Sequence, residues 1–431
     1  MERPPVSVIG GGLAGMAAAA RLAKLGHAVE LYDEAGALGG TWAPYELDEG
    51  VRVDGAPSVL GFPAPWRDLF RKSGRPLDAE LARHGYAVVP AEPPALIFAD
   101  ETELVLPTDR GGQYSALRGA YGVAIAERWQ GLLDRLDDVW QALRPLGFEA
   151  ELTNRTRLKR TTRQRLLHRR TVADLATEMA HPQLSALIRS VAYRSGADPE
   201  QTPALAAVEL AIARTFGRWQ LQPEGAGDAG RSSVLVEALR RRLDQRQVAV
   251  RLETRVSGLR TEAGRVARLE TTEGDLPASA VIWTADPWSL DALLPADLGK
   301  PLRRDIHRLR PARAPAIRHS LVDETASDVR ETIILTADGV PTVRYRRPAG
   351  ERSIRTIHDF RMPTVRPSAG VAWQGFRTFL RRPAVTTMIP GLFLAGPFSP
   401  AGAAPSSVVL SGALGSRSCQ DYLSSRGRAD S

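Results

Sequence analysis

One stretch near the start of the chain, Val6 to Gly40, limits the folds open to it more than any other. Val6 to Ile9 are three β-branched apolar residues and one Ser, which predicts a short buried strand. Gly10, Gly12 and Gly15 follow in the spacing G-x-G-x-x-G. Gly10 permits the tight turn out of the strand, Gly12 lets the backbone approach a pyrophosphate, and Gly15 lets the next helix lie close to the sheet. The Ala-rich run Leu13 to Leu25 predicts that helix, with Leu13 and Ala14 in the first turn and Gly26 as its stop. Its free N–H groups and dipole would face the phosphates. A second strand, His27 to Tyr32, ends on Asp33 and Glu34, roughly 20 residues past the glycines, where a carboxylate can hold a ribose hydroxyl. Strand, glycines, helix and acid together predict a dinucleotide site. The alternative is a Gly-rich strand–helix turn with no ligand. The fingerprint alone does not separate NAD from FAD.

The continuation Asp33-Glu34-Ala-Gly-Ala-Leu-Gly39-Gly40 resembles the flavoprotein families in which the second strand ends in an acid and runs on to a Gly-Gly pair. These are the amine oxidases, the phytoene desaturases and some flavin monooxygenases, and the resemblance implies FAD. Val51 to Leu60, with Asp54-Gly-Ala, resembles the next block of the first two families. Those families usually carry Arg or Lys after the Gly pair, and this chain has Thr41. Gly39-Gly40-Thr41-Trp42 also occurs in some flavin monooxygenases.

Further blocks resemble the phytoene desaturase branch. Ala180 to Pro199, followed by Pro203-Ala204, resembles its substrate domain. In the stretch after Val248, alternating strands place Val256 where the family contacts adenine with its backbone. Pro390 to Gly396, then Pro397, a loop, and Ser407-Val408 in the first turn of a last helix resemble the unit under the flavin ring. The families usually have Asp at the position of Pro397, and proline brings neither a carboxylate nor an N–H. Gly225 to Gly230 repeats G-x-G-x-x-G, but Trp219 to Glu224 contain Pro and too few apolar residues for a buried parallel strand, so a turn is expected there.

The expected architecture is therefore α/β: a Rossmann-like FAD-binding domain of the GR2 flavoprotein type with an interleaved α+β substrate domain. The FAD domain is assigned 1–75, 223–290 and 386–431, and the substrate domain 76–222 and 291–385. Tyr86 to Val89, Ala95 to Phe98 and Glu103 to Leu106 are expected to form a small antiparallel sheet. Apolar residues from Ile125 to Leu143 fall at helical spacing within Tyr114 to Gly147. They predict a core-facing stripe, or in part the wall of a lipophilic tunnel.

At 431 residues, with 43% apolar and 25% charged residues, the composition is that of an ordinary soluble globular protein. The net charge is +8, and with Lys only at 24, 72, 159 and 300, 53 of the 57 basic residues are Arg. The basic excess favours an anionic surface. No nucleic-acid-binding motif is present, so lipid is the expected contact rather than nucleic acid. Thr153 to Arg170 holds eight cations with Leu158, Leu166 and Leu167 between them, which reads as a solvated face or as a peripheral contact with an anionic membrane. No apolar run approaches the roughly 18 residues of a membrane span. The first strand begins too close to Met1 for a cleaved leader, which gives a cytoplasmic expectation, free or peripheral to the membrane. Cys419 is the only cysteine, and the seven His residues have no metal-ligand spacing, so no metal site is expected.

The resemblance implies hydride transfer from a substrate C–H to flavin N5, with a lipophilic isoprenoid or carotenoid-like substrate. Such chemistry is the cofactor's and needs no acid–base signature, and no side chain is nominated as catalytic. The alternatives are a flavin oxidase or monooxygenase of a smaller metabolite, and a degenerate member that binds FAD weakly or not at all.

Overall fold

The computed structural model describes residues 4–47, 51–152, 158–225, 229–295 and 298–429. Its first strand, Val6–Ile9, is wholly buried and sits at the centre of a five-stranded parallel sheet. Across that sheet the order is Ala249–Arg251, Val29–Tyr32, Val6–Ile9, Ala280–Trp283 and Leu392–Leu394. Parallel strands buried on both faces read as continuous apolar runs, as Val-Ser-Val-Ile and Ala-Val-Ile-Trp do.

The helix Leu13–Lys24 packs between this sheet and the last helix, Pro405–Ala429. Small residues make the approach possible. Ala17, Ala18, Ala19 and Ala20 are fully buried, and a Cβ on Gly412 would lie 2.3 Å from the Ala14 carbonyl oxygen. A three-stranded antiparallel sheet, Val256–Glu262, Arg265–Thr271 and Gly274–Pro277, follows the strand at Ala249–Arg251. The architecture is Rossmann-like α/β.

A second sheet has six strands, in the order Arg313–Val322, Arg352–Val365, Pro341–Ala349, Arg330–Leu335, Ala95–Ile97 and Glu103–Val105. All its neighbours are antiparallel except Arg330–Leu335 with Ala95–Ile97. Trp129, Leu133 and Leu136 of the helix Val123–Leu143 share a core with Leu96, Ile333 and Val343 from this sheet. The apolar stripe on that helix is therefore core-facing.

Three sequence expectations are corrected here. The strands near 86, 95 and 103 do not form one small sheet. Tyr86–Pro90 pairs with Arg218–Pro223, whereas Ala95–Ile97 and Glu103–Val105 extend the six-stranded sheet, where Leu96 and Leu104 reach its apolar core. The helical stretch from Tyr114 is two helices, Arg110–Tyr121 and Val123–Leu143, parted at Gly122, whose φ of +87° a helix does not accept. The long strand Arg352–Val365 was not foreseen, because its charged residues mask the alternation.

Arg218–Pro223 is antiparallel to its partners, as the turn reading of Gly225 to Gly230 requires, although residues 226–228 lie outside the described residues. Of the basic stretch, 153–157, including Arg155 and Arg157, also lie outside them. Leu166 is fully buried there, and Leu158 and Leu167 pack against the same core, while Arg160, Arg165 and Arg169 are exposed. Among the described residues no helix is long and apolar enough to cross a membrane.

Candidate cofactor site

The glycines at the end of the first strand act through backbone geometry. Gly10 has φ +104°, and a Cβ there would sit 2.7 Å from Thr284 Oγ1. A Cβ on Gly15 would fall 1.8 Å from the Gly10 carbonyl oxygen, so this glycine lets helix and strand touch. Around Gly12 a Cβ would meet nothing within 4 Å. That open space lies at the N-terminus of the Leu13–Lys24 helix, which has no side-chain cap and no acid in its first turn. The free N–H groups of such an end, with the helix dipole behind them, suit an anion.

Asp33 closes the second strand. One of its carboxylate oxygens accepts a hydrogen bond from Gly11 N, and the other accepts from Ala35 N at 2.8 Å. Each oxygen keeps a lone pair for a further donor. Gly39 and Gly40, at φ +118° and +56°, fold the chain back so that Gly39 N donates to the Gly11 carbonyl at 2.8 Å. Glu34 stands beside Asp33 and pairs with Arg255 Nε at 3.0 Å.

These groups line a cleft of about 760 Å³. Its walls come from three separated stretches of chain: Ile9 to Trp42, Thr254 to Leu293, and Pro397 to Val408. Of the residues foreseen from sequence, Gly10, Gly12, Leu13, Ala14, Asp33, Glu34, Gly39, Gly40, Thr41, Val256, Pro397 and Val408 line it. Gly15, Gly396 and Ser407 do not. Gly15 supports from behind. Gly396 N donates to Ser411 Oγ at 2.8 Å, and a Cβ there would press on Phe398 and on the Thr284 carbonyl oxygen. Ser407 is buried in the first turn of the last helix.

Sequence reasoning missed Arg255, Trp283 and Asp286, which also line the cleft. For Asp286 a signal exists: Asp-Pro-Trp-Ser is a helix start, and its carboxylate accepts from Ser289 N at 2.8 Å. Arg255 and Trp283 have no local signature.

Charge in the cleft is uneven. Asp33, Glu34 and Asp286 are acidic, and Arg255, already paired with Glu34, is the one cation among the described lining residues. Thr41 and Pro397 add none. A diphosphate there would rely on backbone N–H groups and helix ends. With an uncapped helix end, open space at Gly12 and a carboxylate at the strand's end, the residues fit a dinucleotide of the FAD type.

A model of NAD(P)-binding Rossmann-like domains matches residues 8–73. In solved structures, putrescine oxidase bound to putrescine superposes with a TM-score of 0.66 at 12% identity, covering 98% of this chain and 99% of that one. The fold is that of the flavin amine oxidases. By sequence, this flavin amine oxidase-type chain is similar to the carotenoid desaturases. It is 28% identical over 299 residues to hydroxyneurosporene desaturase of Cereibacter sphaeroides, a match covering 67% of this chain and 57% of the relative. It is also 33% identical over 109 residues to phytoene desaturase of Cercospora nicotianae, covering 25% of this chain and 17% of the relative. In both, the match spans less than two thirds of the relative's own length.

Proposed function

We propose that this chain is an FAD-dependent oxidoreductase acting on a lipophilic isoprenoid, as a desaturase or dehydrogenase. The observation that carries the reading is the cleft assembled from three separated stretches of chain, with two helix N-termini at its walls. The likeness to two carotenoid desaturases supports the substrate class. Bound FAD would supply a hydride acceptor for a substrate C–H bond. The chain's own work is binding and orientation. The N–H groups around Gly12, Leu13 and Ala14 hold the diphosphate, Asp33 holds a ribose hydroxyl, and the Val256 backbone meets the adenine. The N-terminus of the last helix, at Pro405 to Val408, favours the negative charge that grows at the flavin's carbonyl edge.

In this reading 1–75, 223–290 and 386–431 form the FAD domain, and 76–222 with 291–385 form the substrate domain. The protein is cytoplasmic, and the exposed cations Arg160, Arg165 and Arg169 give it an electrostatic contact with anionic lipid. The leucines between them turn inward, so that contact is salt-sensitive and does not insert.

A second reading is favoured by Thr41 and Pro397, which leave the phosphate and ribityl end without a side-chain ion: a protein that holds flavin weakly and serves as a partner. One purification separates the two. The first expects a yellow protein with the absorbance of oxidised flavin. A colourless protein that ignores added FAD overturns it.

A further inference from the structure

The six-stranded sheet has a buried face whose chemistry the cofactor cleft does not use. Register puts His319 opposite Thr356, and Thr356 opposite Tyr345. Tyr345 in turn lies opposite Glu331. Directly opposed residues share a face, as do residues two apart on one strand, so His358 and Arg347 belong to the same face. His358, Thr356, Tyr345, Glu331 and Arg347 are all nine-tenths or more buried. The cover is the hairpin Pro44–Glu46 and Arg52–Asp54: Tyr45 meets the His319 ring edge-on at 5.2 Å, and Arg347 Nη2 donates to the Arg52 carbonyl at 2.8 Å.

Two nitrogens on this face have no hydrogen-bond partner among the described residues, Nε2 of His319 and Nε2 of His358. His319 Nδ1 is already joined to Thr356 Oγ1 at 2.9 Å, and the His358 ring lies edge-on to Tyr345 at 5.4 Å. Burial pushes His358 down to about 4, with His319 beside it acting in the same direction, so the imidazole is neutral at ordinary pH. The cations of the face are engaged, Arg218 with Glu331 and Arg347 with the hairpin. A buried polar atom left unpaired costs its whole desolvation penalty, so a partner from outside the chain is called for.

The face also lies beside the cofactor cleft. The covering hairpin leads straight out of Thr41 and Trp42, and a Cβ on Gly55 would sit 2.5 Å from the Thr41 carbonyl oxygen. Asp54, next to Gly55, is buried and exerts its charge on His319.

We infer that His319 and His358 form the recognition site for an uncharged polar group, a hydroxyl or carbonyl, carried by an otherwise apolar substrate bound between the hairpin and the sheet. The inference rests on the FAD oxidoreductase reading and narrows it: the substrate is an oxygenated isoprenoid rather than a pure hydrocarbon. Neutral imidazoles suit such a group because each Nε2 either donates or accepts. A carboxylate would need a cation that this face has already committed.

The test titrates FAD-loaded protein with geranylgeraniol and with squalene, each delivered from detergent, and follows the visible flavin band. The alcohol is expected to bind about tenfold more tightly than the hydrocarbon, one buried hydrogen bond's worth. His358→Leu is expected to raise the Kd for the alcohol about tenfold and leave that for squalene unchanged, with flavin retained. His319→Leu, at a half-buried position that tolerates the change more readily, is expected to do the same. Equal affinity of the wild type for both probes, or an alcohol preference that survives both variants, overturns the inference while the flavin band upholds the FAD reading. Protein that takes up no flavin, or whose band responds to neither probe, overturns the functional reading and the inference with it.

Discussion

Gly15 and Gly10 touch through their backbones: a Cβ on Gly15 would lie 1.8 Å from the Gly10 carbonyl oxygen and 2.9 Å from Thr284 Oγ1. The contact pins the first helix to the first strand, and Thr284 Oγ1 clamps it from the neighbouring strand by donating to the Ile9 and Gly10 carbonyls at 2.9 Å. Because the obstacle is backbone, no side chain can move aside. Gly15→Ala should therefore push the helix off the sheet and cost about 3 kcal/mol, the upper range for overpacking. Chemical denaturation of the FAD-free protein measures this, and an unchanged midpoint would show that the helix has room to shift.

Gly12 is expected to behave in the opposite way. Its φ of −74° suits any residue, and a Cβ there meets nothing within 4 Å, yet the residue lines the cleft at the helix N-terminus. Gly12→Ala should leave the unfolding midpoint of the FAD-free protein where it is. It should also weaken flavin binding by roughly tenfold or more, since a methyl group displaces the closest backbone approach to the diphosphate. Fluorescence quenching of added FAD gives the affinity. A variant that binds flavin like the wild type would place the diphosphate elsewhere.

The contrast between these two glycines explains how much of the site was legible in the sequence. Gly10, Gly12 and Gly15 act through local backbone geometry, which spacing encodes, and Asp33 sits at a fixed distance along the same unit. Val256, Pro397 and Val408 reached the cleft because they belong to a resembling block, and Gly396 and Ser407 of the same block stopped just behind its wall. Arg255 and Trp283 arrive through the pairing of distant strands, which no short pattern records. The same holds for His319 and His358. They lie 39 positions apart in the chain, and only the register of Arg313–Val322 against Arg352–Val365 puts them on one face. Strands 86–90 and 95–97 look alike in sequence, and what separates them into two sheets is the partner each finds.

His358 should make the protein acid-sensitive. Its value falls from 6.5 to about 4 in the folded chain, chiefly through burial, so between those values the unfolded chain binds the proton first. Stability is then full above about pH 6.5 and is lost as the pH falls toward 4, by roughly 3 kcal/mol over the whole window. Carboxylates such as Asp68, held low by Arg21, lose stability over the acid range as well, so the informative quantity is a difference between proteins. Urea midpoints of wild type and His358→Leu at pH 7.5 and 4.5 supply it. The variant should lose distinctly less on acidification; an equal loss would remove His358 as the cause.

Arg382 ties the flavin end of the cleft to the rest of the fold. It is buried, its guanidinium carbon lies 4.2 Å from the centre of the Trp373 ring, and it donates to the Val371 and Ser399 carbonyls at 3.1 Å each. Ser399 lies in the loop between Pro397 and Ala403, two residues that line the cleft. Burial lowers the guanidinium to about 10, which still leaves it charged at neutral pH. Its charge-assisted hydrogen bonds are of the stronger kind. Arg382→Met keeps the bulk and removes the donors, leaving two buried carbonyls without them. The expected cost is about 3 kcal/mol of stability, together with a rise in the Kd for FAD as the Pro397–Ala403 loop loosens. Arg382→Lys restores the charge and one donor, and should recover part of both. Thermal melts and flavin titrations on the same preparations decide the matter. If stability falls in the Met variant but FAD affinity does not, the guanidinium supports the core and leaves the loop's position to its own backbone.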